Sequence, residues 1–412
     1  VQAVASGALA SGDTVIVNSD GTVSVVAETA VSQSVGTSAV FESGVPEFVS
    51  AAFDSNANKV VICYKDDGNS NYGTAVIGTV SGTSISFGTP VIFHNDQTRS
   101  IEVIFDSNSN KVIIAYRDDN NDGDPAAIVG TVSGTSISFG SPVFISNDQS
   151  VNESIGLTFD STENKVIFVY ANAYNSSYGT AVVGTVSGTS ISFGTAVVYN
   201  SGSTVHNYAV YDTNAQKVVV VYRDSSNSGY GTAIVGTVSG TSISFGSEVV
   251  YHAVSTSDNE AVYDTNAQKV VHTDASNSNH GTAVVGTVSG TSITFGSPVV
   301  FQNSTISSPA VTYDESAKKV TVAYKGPSNY GTMAAGTVSG TSITFDASST
   351  FNAARSEQIG ATYDSNAQKV VFAYQDRTGS TLGAGVVIQN AYTSTNLTAE
   401  NYIGVASNGY AT

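Results

Sequence analysis

Apolar residues occur in short runs that are separated by turns rich in Gly, Ser and Asn, and the runs are of two kinds. Residues 218–222 are apolar at every position, whereas residues 241–245 alternate, with Ile243 and Phe245 on one side of the chain. A strand buried on both faces is apolar throughout, and a strand with one wet face alternates. No segment of about ten residues combines helical periodicity with good helix formers. The pattern predicts an all-β chain in which some strands are covered on both faces.

The same series of runs recurs along the chain. Each copy contains an aromatic-Asp pair with Lys-Val five residues after the Asp, and six copies continue with Gly-Thr-Val-Ser-Gly-Thr-Ser-Ile. Successive copies are 50 to 54 residues apart, a period typical of propellers, solenoids and arrays. The aspartates that mark the seven copies are Asp54, Asp106, Asp160, Asp212, Asp264, Asp314 and Asp364.

Each copy contains four predicted strands, which we call a, b, c and d. In the second copy they are 101–105, 111–116, 126–132 and 135–139. The apolar b strands need cover on both faces, as in blades packed around an axis. We therefore predict a seven-bladed β-propeller of four-stranded antiparallel blades. The fifth copy is two residues shorter after Lys269 than the fourth is after Lys217, which predicts a shorter b strand that keeps the pleat in phase.

The seventh copy has no d strand of its own, and the N-terminal segment offers one. Residues 21–26 resemble a d strand, so we predict that the run 22–26 completes the last blade and closes the ring, which removes an open edge. Asp20-Gly21, between the runs 14–17 and 22–26, also predicts a hairpin. The expected domains are an N-terminal extension over 1–20, the propeller over 21–391, and a C-terminal tail, or the start of a further domain, over 392–412.

The charge balance argues against nucleic acid as a partner. The net charge is −18, and seven of the 15 basic residues are the lysines of the repeated turn, so they form no patch for a phosphate backbone. No run of about 18 apolar residues occurs, so no membrane span is expected. The single cysteine, Cys63, aligns with Ala or Val in other copies, which predicts a small buried apolar position.

The copies vary more on one side of each blade than on the other. The a–b and c–d turns are nearly constant, whereas the b–c loops and d–a linkers differ, so recognition is expected on the variable side. One aromatic position precedes the Gly that opens strand c. Its residues can serve as platforms for sugars or fill the gap between blades, and the second interpretation is favoured because the residues follow the repeat. They are Tyr72, Tyr178, Tyr230, His280 and Tyr330.

One loop contains a calcium-like spacing. Asp118, Asn120, Asp122 and Asp124 follow the first half of a D-x-N-x-D-G loop, but Val129 stands where an EF-hand places its bidentate Glu. An irregular calcium site and a solvated turn are both compatible with these residues, and the turn is the more common outcome. No other cofactor is expected.

Residues for catalysis are poorly represented. The five histidines have no metal-ligand spacing, and no pair of acidic residues stands out from the repeat as a general acid with a nucleophile. The chain has no Trp, which disfavours the propeller sialidases with their Asp-boxes. The sequence therefore predicts a protein that is not an enzyme.

Phrases such as YDSNAQKVV, GTAVVGTVSGTSI and TNLTAENYIG resemble repeat proteins of marine, cyanophage-like bacteriophages over nearly the whole chain. The resemblance implies a phage virion structural protein, as a tail fibre, spike or capsid-surface appendage. Its expected partners are other virion proteins, host-surface glycans at the variable loops, and further copies of itself. The expected location is the virion surface or outside the cell. One alternative is a secreted or cell-surface lectin-like adhesin, and another is a polysaccharide-degrading propeller enzyme.

Overall fold

The chain folds almost entirely into antiparallel strands, which confirms the all-β class. The structure, a computed structural model, describes residues 4–146, 151–276, 280–397 and 402–405. Among these residues the helical segments are single 3-10 turns at Asp67–Asn69, Ala173–Asn175 and Pro327–Asn329. The chain divides into two compact units, Val35–Gln389 and a smaller one made of Val1–Ser34 with Asn390–Thr412.

In chain order the strands are β1 Thr14–Val17, β2 Val23–Val25, β3 Glu28–Val31, β4 Ser34–Val35, β5 Ala39–Glu42, β6 Pro46–Asp54, β7 Lys59–Asp66, β8 Tyr72–Ser81, β9 Ser84–Phe87, β10 Val91–Asp106, β11 Lys111–Asp118, β12 Asp124–Ser133, β13 Ser136–Phe139, β14 Val143–Phe144, β15 Val151–Asp160, β16 Lys165–Asn172, β17 Tyr178–Ser187, β18 Ser190–Phe193, β19 Val197–Asp212, β20 Lys217–Asp224, β21 Tyr230–Ser239, β22 Ser242–Phe245, β23 Val249–Ser255, β24 Ser257–Asp264, β25 Lys269–Ser276, β26 His280–Ser289, β27 Ser292–Phe295, β28 Val299–Thr305, β29 Ser307–Asp314, β30 Lys319–Lys325, β31 Tyr330–Ser339, β32 Ser342–Phe345, β33 Ser349–Asp364, β34 Lys369–Asp376, β35 Leu382–Gln389, β36 Tyr392–Thr395 and β37 Tyr402–Val405.

The larger unit is built from the seven repeats; six have the predicted a, b, c and d order, and the seventh has a, b and c in β33, β34 and β35. In the second repeat, β10 pairs with β11, β11 with β12, and β12 with β13, all antiparallel. The linker after each d strand also forms a strand, which pairs back on strand c of the repeat that it leaves. Thus β10 begins beside β8 of the first repeat and ends beside β11 of its own repeat. Strands β10, β19 and β33 each join two repeats in this way, whereas β14, β23 and β28 are separate from the a strands that follow them.

The core lies between neighbouring sheets. Val219 and Val221 of β20 point towards the fifth repeat and pack with Val270 and Val284, whereas Val220 packs against the third repeat. All of these side chains are buried, so the continuous apolar b strands are covered on both faces as predicted. The last sheet packs against the first in the same way. The a strands contact one another in sequence, and β33 contacts β6.

The N-terminal segment completes the last sheet, but the strand that does so differs from the prediction. The run 22–26 does not join this sheet, because β2 pairs with β1 in the smaller unit. The strands that pair with β35 are β4 and β5. The N–H of Gly36 donates to the carbonyl oxygen of Val387 at 2.8 Å, as Gly88 donates to Ile77 at 2.9 Å in the first repeat.

Gly36 also contacts the first repeat closely. The glycine at the same position of another repeat contacts the next repeat along the chain in the same way. A Cβ added at Gly36 would lie 1.8 Å from the carbonyl oxygen of Thr83, and one at Gly88 would lie 1.9 Å from that of Thr135. This backbone approach requires glycine. The sequence contains the matching signal, because residues 36–41, Gly-Thr-Ser-Ala-Val-Phe, resemble the linker phrase Gly-Thr-Ala-Val-Val-Tyr at 194–199.

The shortening in the fifth repeat falls outside strand b, contrary to the prediction. Strand β25 has eight residues, as does β20 of the fourth repeat. Its last residue, Ser276, pairs with His280, whereas Asp224 pairs with Tyr230. The two missing residues therefore belong to the b–c connection. The ladder is preserved because a loop tolerates deletion better than a buried strand does.

In the smaller unit, β1 pairs with β2 and with β37, and β3 pairs with β36. The predicted hairpin between β1 and β2 is confirmed, with Val17 opposite Val23 and with Gly21 at a φ of 83°. Parts of the predicted C-terminal tail, 398–401 and 406–412, lie outside the described residues.

Candidate functional site

The constant a–b turns serve structure. Asp212 is buried, and its Oδ1 accepts the backbone N–H groups of Asn214 at 3.0 Å and Ala215 at 2.8 Å. Gln216, just before the repeat lysine, has a φ of 55°. The marker aspartates of the other repeats accept backbone hydrogen bonds in the same turn. A carboxylate that caps its own turn explains why these residues repeat.

The seven a strands surround a central cavity that the sequence did not reveal. Its volume is about 270 Å³, and residues of all seven repeats line it. Each a strand carries a β-bulge there, as between Glu357 and Gly360. Bulge residues with left-handed φ values near 50° are Phe48, Ser100, His206, Asp258, Ser308 and Gln358. Because no single residue type is common to these positions, no motif marks them.

Three large polar side chains line this cavity and a second one. Glu102, Tyr208 and Glu260 also line a smaller adjoining cavity of about 60 Å³. Burial raises the pKa of Glu102 to about 7, although Ser50 donates a 2.9 Å hydrogen bond to its Oε2. Burial also raises the pKa of Glu260, and the charge of Glu102 adds to that effect. The two glutamates lie far apart in the chain, so sequence analysis missed their proximity.

The aromatic position of the variable side lies where each c strand begins. Tyr72, Tyr178, Tyr230 and His280 are half-buried, and Tyr330 is 40% exposed. None of the five belongs to the set of fully buried tyrosines, which come from the b strands and include Tyr64, Tyr116, Tyr170 and Tyr222. The five side chains are therefore accessible along the variable side.

Most basic residues outside the repeated turns lie on this same side. The chain has 15 Lys and Arg, and subtracting the seven repeat lysines leaves eight. Lys318 is in an a–b turn. The remaining seven lie at the ends of b strands, just after them, or in the linker segments: Lys65, Arg99, Arg117, Arg223, Lys325, Arg355 and Arg377.

Three of these cations converge on one carboxylate between the sixth and seventh repeats. Lys325 Nζ and Arg355 Nη2 lie 2.7 and 2.8 Å from Glu357 Oε1, and Arg377 Nε lies 3.2 Å from Oε2. Burial would raise the pKa of Glu357, but the hydrogen bonds from Arg355 and Lys325 outweigh it and lower that pKa to about 2. We call Lys325, Arg355, Arg377 and Glu357 the basic cluster. Three cations and one carboxylate leave two positive charges in excess.

Two related ion-pair groups are closer to balance. In the second repeat, Arg99 and Arg117 lie 2.6 and 2.9 Å from Asp119. In the first repeat, Lys65 lies 2.6 Å from Glu47 and 2.9 Å from Asp67. The basic cluster therefore has a larger local excess of positive charge than either group.

The calcium-like residues lie in the b–c loop of the second repeat. Asp118 and Asp124 pair across β11 and β12. Asp118 Oδ1 accepts the backbone N–H of Asn120 at 3.1 Å, and Asn121 Nδ2 donates to Asp124 at 3.0 Å. Asp122 has a φ of 53°. The described part of the chain brings no three His, Cys, Asp or Glu side chains into a group that could hold a metal ion. Calcium binding here stays a prediction.

The fifth repeat contains a buried polar group in place of apolar residues. Asp274 occupies the position of Tyr222, and its Oδ2 lies 3.2 Å from His272 Nε2 and 3.4 Å from His252 Nδ1. Burial would raise the pKa of Asp274, but hydrogen bonds from His252 and His272 hold it below its usual range. Asp274 and His272 are fully buried, which makes a reaction with an outside substrate there unfavourable.

Comparison with known proteins supports the fold. No family model matches the sequence, and no curated protein is significantly similar to it. The BP39L lectin from Burkholderia pseudomallei has a similar structure, with a TM-score of 0.64 and 10% identity over 89% of this chain and 100% of the lectin. A protein of unknown function from Dyadobacter fermentans has a TM-score of 0.52 and 10% identity over 88% of this chain and 99% of that protein.

No helix among the described residues has the length and apolar character that crossing a bilayer would require.

Proposed function

We propose that this chain is a closed seven-bladed β-propeller that binds glycans without catalysing a reaction. The contacts of β33 with β6 and of Gly36 with Thr83 support closure of the ring. The similarity to the fold of a bacterial lectin is compatible with glycan binding. The observation that carries the proposal is the series of accessible aromatic side chains at one repeated position of the variable side.

These side chains suit sugars for a physical reason. An aromatic ring presents a flat apolar face against which the C–H face of a sugar can stack, and a Tyr hydroxyl can donate or accept a hydrogen bond. The b–c loops around them vary between repeats, whereas the sheets that hold them do not. Several weak sites on one rigid body bind a repeating surface glycan more tightly than one site can.

Glycan binding can be tested by replacing the aromatic position in four repeats together. The variant with Tyr72, Tyr178, Tyr230 and Tyr330 changed to Ala should lose glycan-array binding by at least about tenfold, since each lost stacking contact weakens binding. Tyr174→Ala is the matched control, because Tyr174 is 62% exposed but lies in a b–c loop outside the repeated position. Equal binding by the two variants, both folded by circular dichroism, would refute the proposal.

We also propose that the protein belongs to the surface of a phage particle, where its partners are other virion proteins and further copies of itself. The support is the resemblance of its repeat phrases to marine phage proteins. Mass spectrometry of purified particles should detect the chain beside capsid or tail proteins. Recovery only from the surface or medium of uninfected cells would favour the lectin-like adhesin instead. Light scattering of the purified protein measures its oligomeric state.

The central cavity gives the enzymatic alternative a specific test. Glu102 and Glu260 are two half-buried acids that line one cavity, and glycoside hydrolases use two carboxyl groups. The cavity lies among the a strands, whereas the aromatic positions open the c strands. We therefore expect no release of reducing ends from polysaccharides that the protein binds. Hydrolysis that Glu102→Gln or Glu260→Gln abolishes would overturn the non-enzymatic assignment.

A further inference from the structure

The five aromatic positions of the variable side differ in the residue that each faces across the sheet. Tyr72 pairs with Gln97, Tyr178 with Ser203, and Tyr230 with Ser255, while His280 pairs with Thr305. The fifth pair is Tyr330 with Arg355. Among these described pairs, only that of the sixth repeat matches the aromatic residue with a cationic one. Tyr330 is also the most exposed of the five aromatic residues.

Arg355 also belongs to the basic cluster, so the position paired with Tyr330 is part of that cluster. Its side chain is 48% exposed and that of Arg377 is 38% exposed, whereas the Glu357 carboxylate that they share is only 13% exposed. The pKa of Glu357 is lowered to about 2, so this carboxylate is ionised at neutral pH and cancels one of the three positive charges. Arg355 and Arg377 therefore expose positive charge to solvent in a chain whose net charge is −18.

The guanidinium groups are held in place with donors to spare. Arg377 Nε contacts Glu357 Oε2 and donates to Gln375 Oε1 at 2.8 Å. Gln375 is itself buried and donates to the carbonyl oxygen of Pro46 at 2.8 Å. The backbone N–H of Arg377 donates to the carbonyl oxygen of Arg355 at 2.9 Å. Each guanidinium has five N–H groups, and the fork binds carboxylate and sulfate oxygens well when its position is already set.

A purely structural ion-pair group needs no such excess. Lys65 in the first repeat is matched by two carboxylates, Glu47 and Asp67. Burying or crowding three cations around a single carboxylate costs repulsion that a fourth, acidic group would relieve. The basic cluster lacks that group among its own residues, and its Arg355 pairs across the sheet with the exposed Tyr330.

We infer that the surface formed by Tyr330, Arg355, Arg377 and Lys325 binds the anionic group of an acidic glycan, with Tyr330 stacking on the sugar ring. This inference rests on the proposed glycan binding and deepens it by assigning a class of ligand to one of the repeated positions. The anionic group is a carboxylate, as in sialic or uronic acids, or a sulfate ester. The carboxylate is planar and the sulfate ester is tetrahedral, and each can present two oxygens to a guanidinium fork.

The test compares lactose, sialyllactose and sulfated lactose by isothermal titration calorimetry on the full chain. We expect both acidic sugars to bind more tightly than lactose, and their relative affinities to identify the preferred anion. Raising the salt from about 50 to about 500 mM should weaken only the acidic sugars, since it screens exposed charges.

Two variants form a matched pair. Arg355 and Arg99 are 48% and 50% exposed, and each contacts one carboxylate, but Arg355 itself pairs with an aromatic position, whereas in the strand of Arg99 the residue that pairs with Tyr72 is Gln97. Arg355→Gln should weaken the acidic sugars about tenfold and leave lactose unchanged, since it removes a charged hydrogen bond. Arg99→Gln should change neither. The double variant Arg355→Gln/Arg377→Gln should abolish the preference for acidic sugars.

The outcomes distinguish failure of this inference from failure of the proposed glycan binding. Equal affinity for lactose and the acidic sugars, or equal losses in the Arg355 and Arg99 variants, would overturn the assignment of an acidic ligand while glycan binding stands. Absence of binding to every glycan on the array would remove the proposed function itself. Because Arg355 is exposed, its single replacement should melt within about 2 °C of the parent protein, which keeps the comparison free of misfolding.

Discussion

Single side chains show which repeated residues hold the fold. Asp212 is buried because its carboxylate accepts two backbone N–H groups of the turn that it begins. An orphaned buried donor costs more than the bond itself gains, so the repeat cannot replace this residue freely. Asn214 lies in the same turn, but it contributes its backbone N–H and not its side chain. Its side chain should therefore matter less for stability than that of Asp212.

Asp212→Ala should lower the free energy of unfolding by about 1–2 kcal/mol, because it leaves two backbone donors of a tight turn without their acceptor. Asp212→Asn should cost less, since its amide oxygen can still accept. Urea unfolding measures both. Asn214→Ala is the control, and a loss as large as that of Asp212→Ala would show that the cap has no special role.

The buried His and Asp of the fifth repeat should be dispensable for folding. Changing His272→Val with Asp274→Tyr restores the residues of the fourth repeat, and the new Tyr can face His252 as Tyr116 faces His94 at 3.2 Å. We expect the double variant to be more stable by about 1–3 kcal/mol, because apolar replacement of a buried charged group removes its desolvation cost.

Asp274→Ala alone should destabilise the protein, since it leaves the buried His272 and the half-buried His252 without their acceptor. Thermal unfolding distinguishes the two results. A double variant less stable than the parent would indicate that the polar group is needed for the structure of the fifth repeat.

Among the described strands of the larger unit, those of the closing segment have the most distant partner in the sequence. Strand β5 comes from the N-terminal side of the seven repeats, yet it supplies the outer strand of the last sheet. Its Phe41 ring lies 5.3 Å from that of Tyr64 and 5.6 Å from that of Phe87, both in the first repeat. The segment therefore joins the last sheet to the first through side chains as well as through the backbone.

Gly36→Val should weaken this junction by at least about 2 kcal/mol, because its Cβ would overlap the carbonyl oxygen of Thr83. Gly7→Val is the control, since a Cβ at Gly7 meets nothing within 4 Å. Thermal unfolding gives the stability, and hydrogen exchange of β35 shows whether its edge opens. Equal melting temperatures for the two variants would contradict this account of closure.

Across the whole molecule, pH should act through the central cavity. Burial raises the pKa of Glu102 from 4.5 to about 7, so the folded protein holds a proton there that the unfolded chain releases. The stabilisation is complete below about pH 4.5 and is lost as pH rises towards 7. Glu260, whose pKa is also raised by burial, acts in the same direction. The pKa of Glu357 is lowered instead of raised, so Glu357 affects the pH dependence of stability only below pH 4.5.

Between about pH 5 and pH 8 the free energy of unfolding should therefore fall by on the order of 2–3 kcal/mol. Glu102→Gln keeps the side chain neutral and should flatten that fall. Denaturant titrations at several pH values measure it. An unchanged pH dependence in Glu102→Gln would show that the acid titrates in contact with solvent.

Seven repeats, their strand order and the role of the capping aspartates were predictable from the amino-acid order alone, because pleat alternation and Asx turns depend on residues a few positions apart. The b strands also revealed their two-sided burial, since an apolar residue at every position has no other stable environment. The sequence favours 22–26 as the closing strand because residues 21–26 resemble a d strand of the repeat. Local strand character cannot choose between segments, and the Gly36 contact with Thr83 does so.

The candidate sites depended on the tertiary structure. The pairing of Tyr330 with Arg355 arises from a ladder between β31 and β33, and Arg377 reaches Glu357 only after β34 returns beside that strand. Glu102 and Glu260 meet because the a strands of distant repeats surround one cavity. Charge and burial act through space, so residues that share neither a motif nor a short spacing become neighbours only when the sheets are packed together.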